Sequence, residues 1–389
     1  MIKRILSTIT LAALLATTAT AQSRPEDDST DEAGLWYKMD KYEQALKNSG
    51  AVIDDPELNA YVRRVTCDIT GQEACDKLRI YIVEEPIFNA SMAPNGMMTV
   101  YSGLLLRSES EAQMACVLGH EYGHFAEKHS LEGWRRAKST SNWMVGLQFV
   151  AAFAGLPPET GQAINQIGSL LFYRYNRGQE TEADVIGFNL TAGADYKADE
   201  CANVWKNLIA ENENSSFGSK RRRGKWFNPY STHPLPKDRI AELDALAASY
   251  DSGDKTGRET HIAAVRPHLQ NWMKAELLAR DFNSNIYLFQ QLKTRGFPPG
   301  MADYFIGEAY RLRKAEGDRA RAVDMWKKAS VQAGAPPVVH RALAEHYRKA
   351  GFKDAALSSY QTYLAQAPQA EDSALISAYI DRLNTQLGN

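Results

Sequence analysis

The sequence predicts an α+β protein that is mostly helical with one small sheet, followed by an all-α region of helical repeats. Apolar residues recur at helical spacing along much of the chain, and strand-like alternation is confined to two short runs. An internal repeat of 34 residues appears in the last third of the chain. The formal net charge of −2 and the pI near 6.5 give no support for nucleic-acid binding.

The N-terminus predicts export. Lys3 and Arg4 precede an uncharged run over residues 5–20, and Ala19-Thr20-Ala21 fits a signal-peptidase site. Residues 1–21 are therefore expected to be a secretory signal peptide, followed by a flexible segment at residues 22–34. The uncharged run at residues 143–155 is too short to span a bilayer. We expect it to form a core or cleft-covering helix, with a membrane-surface contact as the alternative, and we expect no transmembrane segment in the mature chain.

Two short runs predict the small sheet. Residues 78–84 alternate apolar with polar side chains, and residues 97–101 form a second strand-like run. Pro86 and Pro94-Asn95-Gly96 supply turn signals between them. The sheet is thus expected to precede the helix that carries the main motif.

That motif is His120-Glu121-Tyr122-Gly123-His124. On a helix, residues i and i+4 lie on one face, so both imidazoles can reach a single zinc ion while Glu121 projects beside it. This geometry is typical of one half of a metallopeptidase site. The alternative is a pair of hydrogen-bonded core histidines.

The residues around the motif favour a helix. Ser108 and Glu111 have capping-box spacing, which predicts a helix that starts there and runs to about His129. His129 does not have the spacing of a third ligand of the metzincin type, because Glu127 and Ser130 occupy the positions where Gly and His would be needed. We expect His129 to lie near a helix end rather than to bind a metal.

A catalytic zinc needs a third protein ligand, and Glu180 is the candidate. Glu180 and Asp184 are i and i+4 on a second predicted helix. Glu180 can then bind the metal, while Asp184 can accept the distal N–H of a ligating imidazole. Glu182 is expected to point elsewhere. The set corresponds to the gluzincin class, a His-Glu-x-x-His motif plus Glu, within a zincin-type domain that holds one zinc per chain.

Four motifs in order resemble the HtpX-like and CaaX-prenyl-endopeptidase-like zinc metallopeptidases, family 48 of the metallopeptidases. The resemblance covers roughly residues 35–250. The residues that carry it are Asn89-Ala90, Pro94, Gly96, Val100 and Gly103-Leu104-Leu105; His120 to His124; Arg177, Glu180 to Asp184 and Gly187; and His233-Pro234 with Arg239.

The resemblance implies that His120, His124 and Glu180 bind zinc, with Glu121 as general base and Asp184 behind the ligands. It also implies that an edge of the small sheet can hold an extended substrate by strand addition, although strands that merely cover the helix would explain the pattern equally well. The sequence departs from the family pattern near the cleft edge, at Ser91, Asn95 and Asn176.

The four cysteines of an exported chain allow two disulfides. Cys67 and Cys75 are the expected local pair. Cys116 lies one turn before His120, and we expect it to be a small buried residue or to pair with Cys201 rather than to bind metal.

From about residue 265 the chain predicts helical hairpins of tetratricopeptide type. Gly317, Ala322 and Trp326 recur 34 residues later as Gly351, Ala356 and Tyr360. The expected organisation is a zinc metallopeptidase domain at residues 35–250, a linker at residues 251–264 and repeats at residues 265–389. The repeats would bind a protein partner or guide a substrate, or else act as a stabilising appendage.

The segment at residues 211–232 contains the basic run at residues 220–223 and leads to His233-Pro234. Such a run is usually a solvated loop, but its position also allows a lid. As a hypothesis, His233 reaches the active site and either occupies the open zinc position or stabilises the oxyanion. A purely structural His233 is the alternative.

These observations predict a zinc-dependent endopeptidase that cleaves protein or peptide substrates. The combination of signal peptide, zinc cleft and repeats resembles the BepA-like periplasmic proteases. The resemblance implies a periplasmic protein that degrades misfolded or stalled outer-membrane proteins and assists their assembly. It also implies contact with the assembly machinery through the repeats and a peripheral location at the outer membrane. The alternative is a non-proteolytic chaperone or scaffold with a latent zinc site.

Overall fold

The computed structural model describes residues 31–139, 175–218 and 237–388. Labels follow the chain order of the described elements. The strands are β1 (Arg79–Val83), β2 (Ala90–Met92) and β3 (Met97–Tyr101). The helices of the first part are α1 (Asp31–Lys47), α2 (Pro56–Thr70), α3 (Gln72–Cys75), α4 (Ser102–Arg107), α5 (Glu111–Ala126), α6 (His129–Ser139), α7 (Arg177–Gly193), α8 (Glu200–Glu213) and α9 (Lys237–Ser249). The helices that follow are α10 (Arg258–Val265), a 3-10 turn (Arg266–His268), α11 (Leu269–Leu278), α12 (Phe282–Thr294), α13 (Pro299–Arg313), α14 (Asp318–Ala329), α15 (Val338–Ala350), α16 (Lys353–Gln366) and α17 (Ser373–Leu387).

The small sheet is present and has the order β1-β3-β2. β1 runs parallel to β3, with Ile80 beside Met98, and β2 runs antiparallel to β3, with Ala90 beside Val100. The sequence predicts β1 and β3 but misses β2, because three residues are too few for a readable alternation. All residues of β2 and β3 are buried, and β2 packs against α5. The sheet therefore supports the motif helix directly.

The start of α5 differs from the prediction. Its N-cap is Ser110, whose hydroxyl accepts from the backbone N–H of Gln113, whereas the Ser108 hydroxyl donates to the Leu104 carbonyl at the end of α4. The Glu111 side chain pairs with Arg64 instead of reaching back to a cap. The capping-box prediction is wrong because the backbone N–H of Ser108, which Glu111 would have to reach, already donates to the Leu104 carbonyl as α4 ends.

The end of α5 also differs from the prediction. The helix stops at Ala126 rather than at about His129, and Lys128 adopts the left-handed conformation with φ 55°. His129 is then the first residue of α6 rather than the last turn of α5.

Both cysteine pairs form disulfides. Cys67 pairs with Cys75, and Cys116 pairs with Cys201, across 8 and 85 residues of sequence. The second bridge ties the motif helix α5 to α8. Cys116 is therefore not a metal ligand.

The repeat region consists of paired helices. α13 packs against α14, and α15 packs against α16. Gly307 lets the Trp326 ring come so close that a Cβ there would lie 2.6 Å from the ring. Ala344 and Tyr360 take the corresponding places in the next pair and are both fully buried. The internal repeat is thus visible as two similar hairpins, while their assignment as tetratricopeptide repeats stays a prediction.

The first part of the chain and the C-terminal helices share one apolar cluster, which extends from Leu58 to Leu343. The segment at residues 251–264, expected to be a linker, contains the start of α10, and His261 within it is fully buried. The division into domains at residues 250 and 265 stays a prediction.

Several expectations fall outside the described residues: the signal peptide, the run at residues 143–155, the basic run at residues 220–223, and His233. Across the part of the chain that the structure describes, we find no helix long and apolar enough to cross a membrane.

Candidate metal centre

The site begins with the close packing of α5 against α7. Glycines on both helices make the approach possible: a Cβ on Gly187 would lie 2.7 Å from the backbone nitrogen of His120, and a Cβ on Gly123 would lie 3.2 Å from Cα of Ala183. Without side chains at the contact, the two backbones come within reach of each other's functional groups. The two motifs, about 60 residues apart, are joined in this way.

A capping box fixes the start of α7. The Asn176 side chain accepts from the backbone N–H of Gln179, and the Gln179 side chain accepts from that of Asn176. This start places Glu180 in the first turn and Asp184 one turn further, both buried. The predicted second helix is confirmed, and Asn176 acts as its N-cap.

His120, His124 and Glu180 converge on one point. The two Nε2 atoms are 3.1 Å apart, and they lie 3.7 Å and 3.8 Å from the Glu180 carboxylate oxygens. Zinc bonds of about 2.1 Å in a tetrahedron put neighbouring ligand atoms about 3.4 Å apart. The observed separations are within a few tenths of an ångström of that value, and all three side chains are buried. The donor set fits a zinc ion.

Asp184 lies where the sequence predicts it. Its Oδ1 is 2.9 Å from Nδ1 of His120. Burial raises the pKa of Asp184, but hydrogen bonds from Arg239 and His120 outweigh it and lower the pKa to about 2. An ionised Asp184 accepts the Nδ1 proton of His120, which leaves the His120 Nε2 lone pair facing the metal position.

Arg239, on α9, is a functional residue to which the sequence analysis assigned no role. Its Nε and one terminal nitrogen each donate to Asp184 at 2.6 Å, and its other terminal nitrogen donates to Glu180. Arg239 is 1% exposed, and the two carboxylates keep its pKa above the usual value despite burial. The signal for it was its place in the His233-Pro234 motif.

His124 has different neighbours. The Tyr175 ring stacks on it, with centroids 3.7 Å apart and planes 13° from parallel, and the Tyr175 hydroxyl is 2.8 Å from that of Ser130. His129 meets the edge of the His124 ring, with the two Nδ1 atoms 2.8 Å apart and the ring planes inclined at 68°. Nothing in the spacing of the sequence signalled Tyr175.

His129 and Glu182 make contacts that the sequence does not predict. Glu182 points away from the metal position, and its carboxylate lies 3.2 Å from Nε2 of His129. His129, expected near a helix end rather than as a metal ligand, is the first residue of α6, is 2% exposed and connects Glu182 to His124. The pattern of apolar residues does not predict the left-handed residue Lys128, after which His129 lies against His124.

Glu121 is buried on the same helix as both histidines, with 4% exposure. Its charge contributes to the raised pKa of Tyr101 and of Tyr175, after the larger effect of burial. The Trp205 ring lies on the His120 side, with its centroid 6.5 Å from that of His120. The site thus combines a metal-binding trio with a second buried carboxylate on the motif helix.

A His-Glu-x-x-His helix joined by a Glu from a second helix defines a metallopeptidase of the gluzincin class. The chain belongs to peptidase family M48, whose family model matches residues 53–247.

Individual relatives agree with this family. A Vibrio cholerae protein, provisionally named as a beta-barrel assembly-enhancing protease, is 29% identical over 54% of this chain and 43% of its own. The Escherichia coli protein named beta-barrel assembly-enhancing protease is 25% identical over 55% of this chain and 44% of its own. The mitochondrial metalloendopeptidase OMA1 of Arabidopsis thaliana is 37% identical over 33% of this chain and 25% of its own. The chain therefore spans less than half the length of each of these relatives.

Proposed function

We propose that this protein is a zinc-dependent endopeptidase of the periplasm. The observation that carries the proposal is the convergence of His120, His124 and Glu180 beside Glu121 in a buried site. Two imidazoles and one carboxylate are the ligand set of catalytic zinc in several peptidase classes, and they leave one position for water or substrate.

When bound, zinc supplies Lewis-acid polarisation of the scissile carbonyl and acidifies water at the site. The residues of the chain supply the rest. Glu121 accepts the proton of the attacking water and then delivers it to the departing amine. Asp184 and Arg239 hold His120 and Glu180 in place through the contacts described above, so the ligands are already arranged before substrate arrives.

The substrates we propose are misfolded or stalled outer-membrane proteins. The support is the family together with two relatives whose names refer to beta-barrel assembly. The periplasmic location rests on the predicted signal peptide. Strand addition at β2, the outer strand of the described sheet, would require whatever buries its three residues to move aside when substrate binds.

A second candidate function is a chaperone or scaffold that binds assembly machinery through the repeats. The observation that favours it is a groove of about 750 Å³ between α13, α14 and α15. Tyr304 and Trp326 contribute aromatic surface, and Arg311, Arg319 and Arg341 are among the charged residues that line it. A groove of this kind suits a protein segment whether or not the zinc site is active.

Glu121→Gln separates the two functions. We expect the variant to bind one zinc per chain, as the parent does, and to lose cleavage of casein and of an unfolded outer-membrane protein by about 10²–10⁴-fold. The matched control is Glu127→Gln, at an exposed position just after α5, which should cleave like the parent.

Cleavage by the parent should stop with a chelator and return with zinc. Full turnover by zinc-loaded Glu121→Gln would refute the mechanism. A zinc-loaded parent that cleaves neither substrate yet suppresses aggregation of the outer-membrane protein would favour the scaffold.

A further inference from the structure

We propose that His129 is a positioning residue that keeps the proton of His124 on Nδ1, so that His124 Nε2 stays available to the metal. The inference rests on the proposed metal site and adds a residue to it. Its basis is a line of three side chains: His124 Nδ1 lies 2.8 Å from His129 Nδ1, and His129 Nε2 lies 3.2 Å from the Glu182 carboxylate.

The direction of these hydrogen bonds follows from the metal position. His124 Nε2 faces His120 Nε2 and Glu180, so a metal there needs the Nε2 lone pair, and the neutral His124 ring carries its proton on Nδ1. That proton points at His129 Nδ1, which must therefore accept. The neutral His129 ring then carries its own proton on Nε2 and donates it to Glu182.

The residues around the two rings hold His129 in this position. His129 is 2% exposed, and Tyr175 covers the face of the His124 ring. The left-handed residue Lys128 follows the end of α5, and His129 then begins α6 with its ring against that of His124. Glu182 is half exposed at the far end of the line, so its charge remains hydrated while it orients His129.

The two metal-binding histidines are thus supported differently. His120 faces a buried carboxylate that Arg239 holds, whereas His124 faces the neutral ring of His129. A carboxylate makes the opposite ring nitrogen more electron-donating than a neutral acceptor does. His129 therefore supplies mainly orientation and choice of tautomer.

The first test measures the tautomer directly. Nitrogen-15 spectra of histidine-labelled, zinc-loaded Glu121→Gln protein should show His124 with its proton on Nδ1 and His129 with its proton on Nε2. The His129 signals are assigned by their loss in His129→Leu. A His129 ring with its proton on Nδ1 would overturn the proposal.

The second test measures zinc affinity by competition with a chelating dye. His129→Leu keeps the bulk but removes the acceptor, and we expect affinity to fall about 10–100-fold. His129→Asn places an amide oxygen near the former Nδ1, and it should restore most of the affinity. Glu182→Ala should give a smaller loss than His129→Leu, because it leaves the acceptor in place. The matched control is His268→Leu, which removes a histidine that stacks on Trp272 and should bind zinc like the parent.

Thermal unfolding of the metal-free variants separates positioning from packing. His129→Leu and His129→Asn should unfold at similar temperatures without metal while differing in zinc affinity. If both variants bind zinc as tightly as the parent, the proposal is wrong although the zinc site stands. If the parent itself binds no zinc, the proposed function is wrong as well.

Discussion

Arg239 offsets the free-energy cost of burying two carboxylates at the metal site. Two buried carboxylates, Glu180 and Asp184, lie one helical turn apart, and each would be costly to desolvate without a cation. Arg239 bonds to both through its planar guanidinium, whose separate N–H groups match two acceptors at once. Asp184 can therefore remain ionised, as the acceptor of the His120 proton must.

Replacing Arg239 should affect both stability and metal binding. We expect Arg239→Leu to lower the free energy of unfolding of the metal-free protein by about 3–5 kcal/mol, because it leaves the buried carboxylates of Glu180 and Asp184 without their cation. Arg239→Lys keeps the charge but cannot bond to both carboxylates in the same geometry. Its free energy of unfolding should lie between those of Arg239→Leu and the parent. Urea unfolding and zinc titration provide the measurements.

The matched control is Arg177→Leu, on the neighbouring helix α7. Arg177 pairs with Asp238 and Glu242 at the surface, with its side chain 64% exposed. Exposed pairs contribute little, so this variant should unfold nearly like the parent. Equal losses in Arg177→Leu and Arg239→Leu would contradict the role given to Arg239.

At the scale of elements, the contact between α5 and α7 decides whether the two motifs form one site. The spacing within each helix is local, but the distance between the helices depends on what separates their backbones. Gly119 on α5 and Gly187 on α7 face each other, and a Cβ at Gly119 would lie 3.1 Å from Cα of Gly187. Added atoms there must push against backbone, which cannot rotate away.

Gly187→Ala should therefore weaken zinc binding although it changes no ligand side chain, because the added methyl group meets the backbone of His120. We expect the helices to separate, with a loss of about 1–3 kcal/mol in unfolding free energy from overpacking. Gly193→Ala, at the end of the same helix, has open space around the added methyl group and should be neutral or slightly stabilising. Calorimetric unfolding and dye competition for zinc measure both effects, and a Gly187→Ala protein that matches Gly193→Ala would contradict this account.

Across the whole molecule, buried polar contacts fasten the C-terminal helices to the part that carries the site. Arg107, at the end of α4, bonds to Glu211 on α8 and to Glu276 on α11. His261 on α10 accepts from the Tyr61 hydroxyl of α2 and donates to the Leu105 carbonyl of α4. Movements of the repeats are thus expected to be transmitted to the helices beside α5.

His261 makes this junction sensitive to acid. Complete burial, the largest cause, lowers its pKa from 6.5 to about 4. Between these pH values the unfolded chain binds a proton that the folded chain does not, so stability is full above pH 6.5 and falls as the pH drops toward 4. The whole shift corresponds to about 3 kcal/mol.

Urea unfolding of the metal-free protein from pH 7 to pH 4 tests this dependence. His261→Gln should flatten the pH dependence relative to the parent. His346→Gln, which changes a half-buried histidine lining the groove between the repeats, should alter the slope much less. An unchanged slope in His261→Gln would show that other groups control acid sensitivity.

Much of the site can be predicted from the sequence because it depends on the spacing of residues within single helices. The i and i+4 spacings of His120 with His124 and of Glu180 with Asp184 give one face of a helix directly. Local spacing predicts wrongly where a side chain also has a distant partner. Ser108 and Glu111 have capping-box spacing, yet the Glu111 carboxylate pairs with Arg64 and Ser110 is the N-cap. The reason is that side-chain choices between a local and a distant partner depend on packing.

By itself, the sequence determined the helical, α+β character of the chain, the metal-binding residue types and the internal repeat, since each depends on spacing along one element. Only the tertiary structure decided that Arg239 joins the two carboxylates, that His129 lies against His124, and that β2 completes the sheet. Arg239 is 55 residues from its partner Asp184, and one left-handed residue, Lys128, precedes His129. Such contacts come from how elements pack, and hydrophobic periodicity carries no information about them.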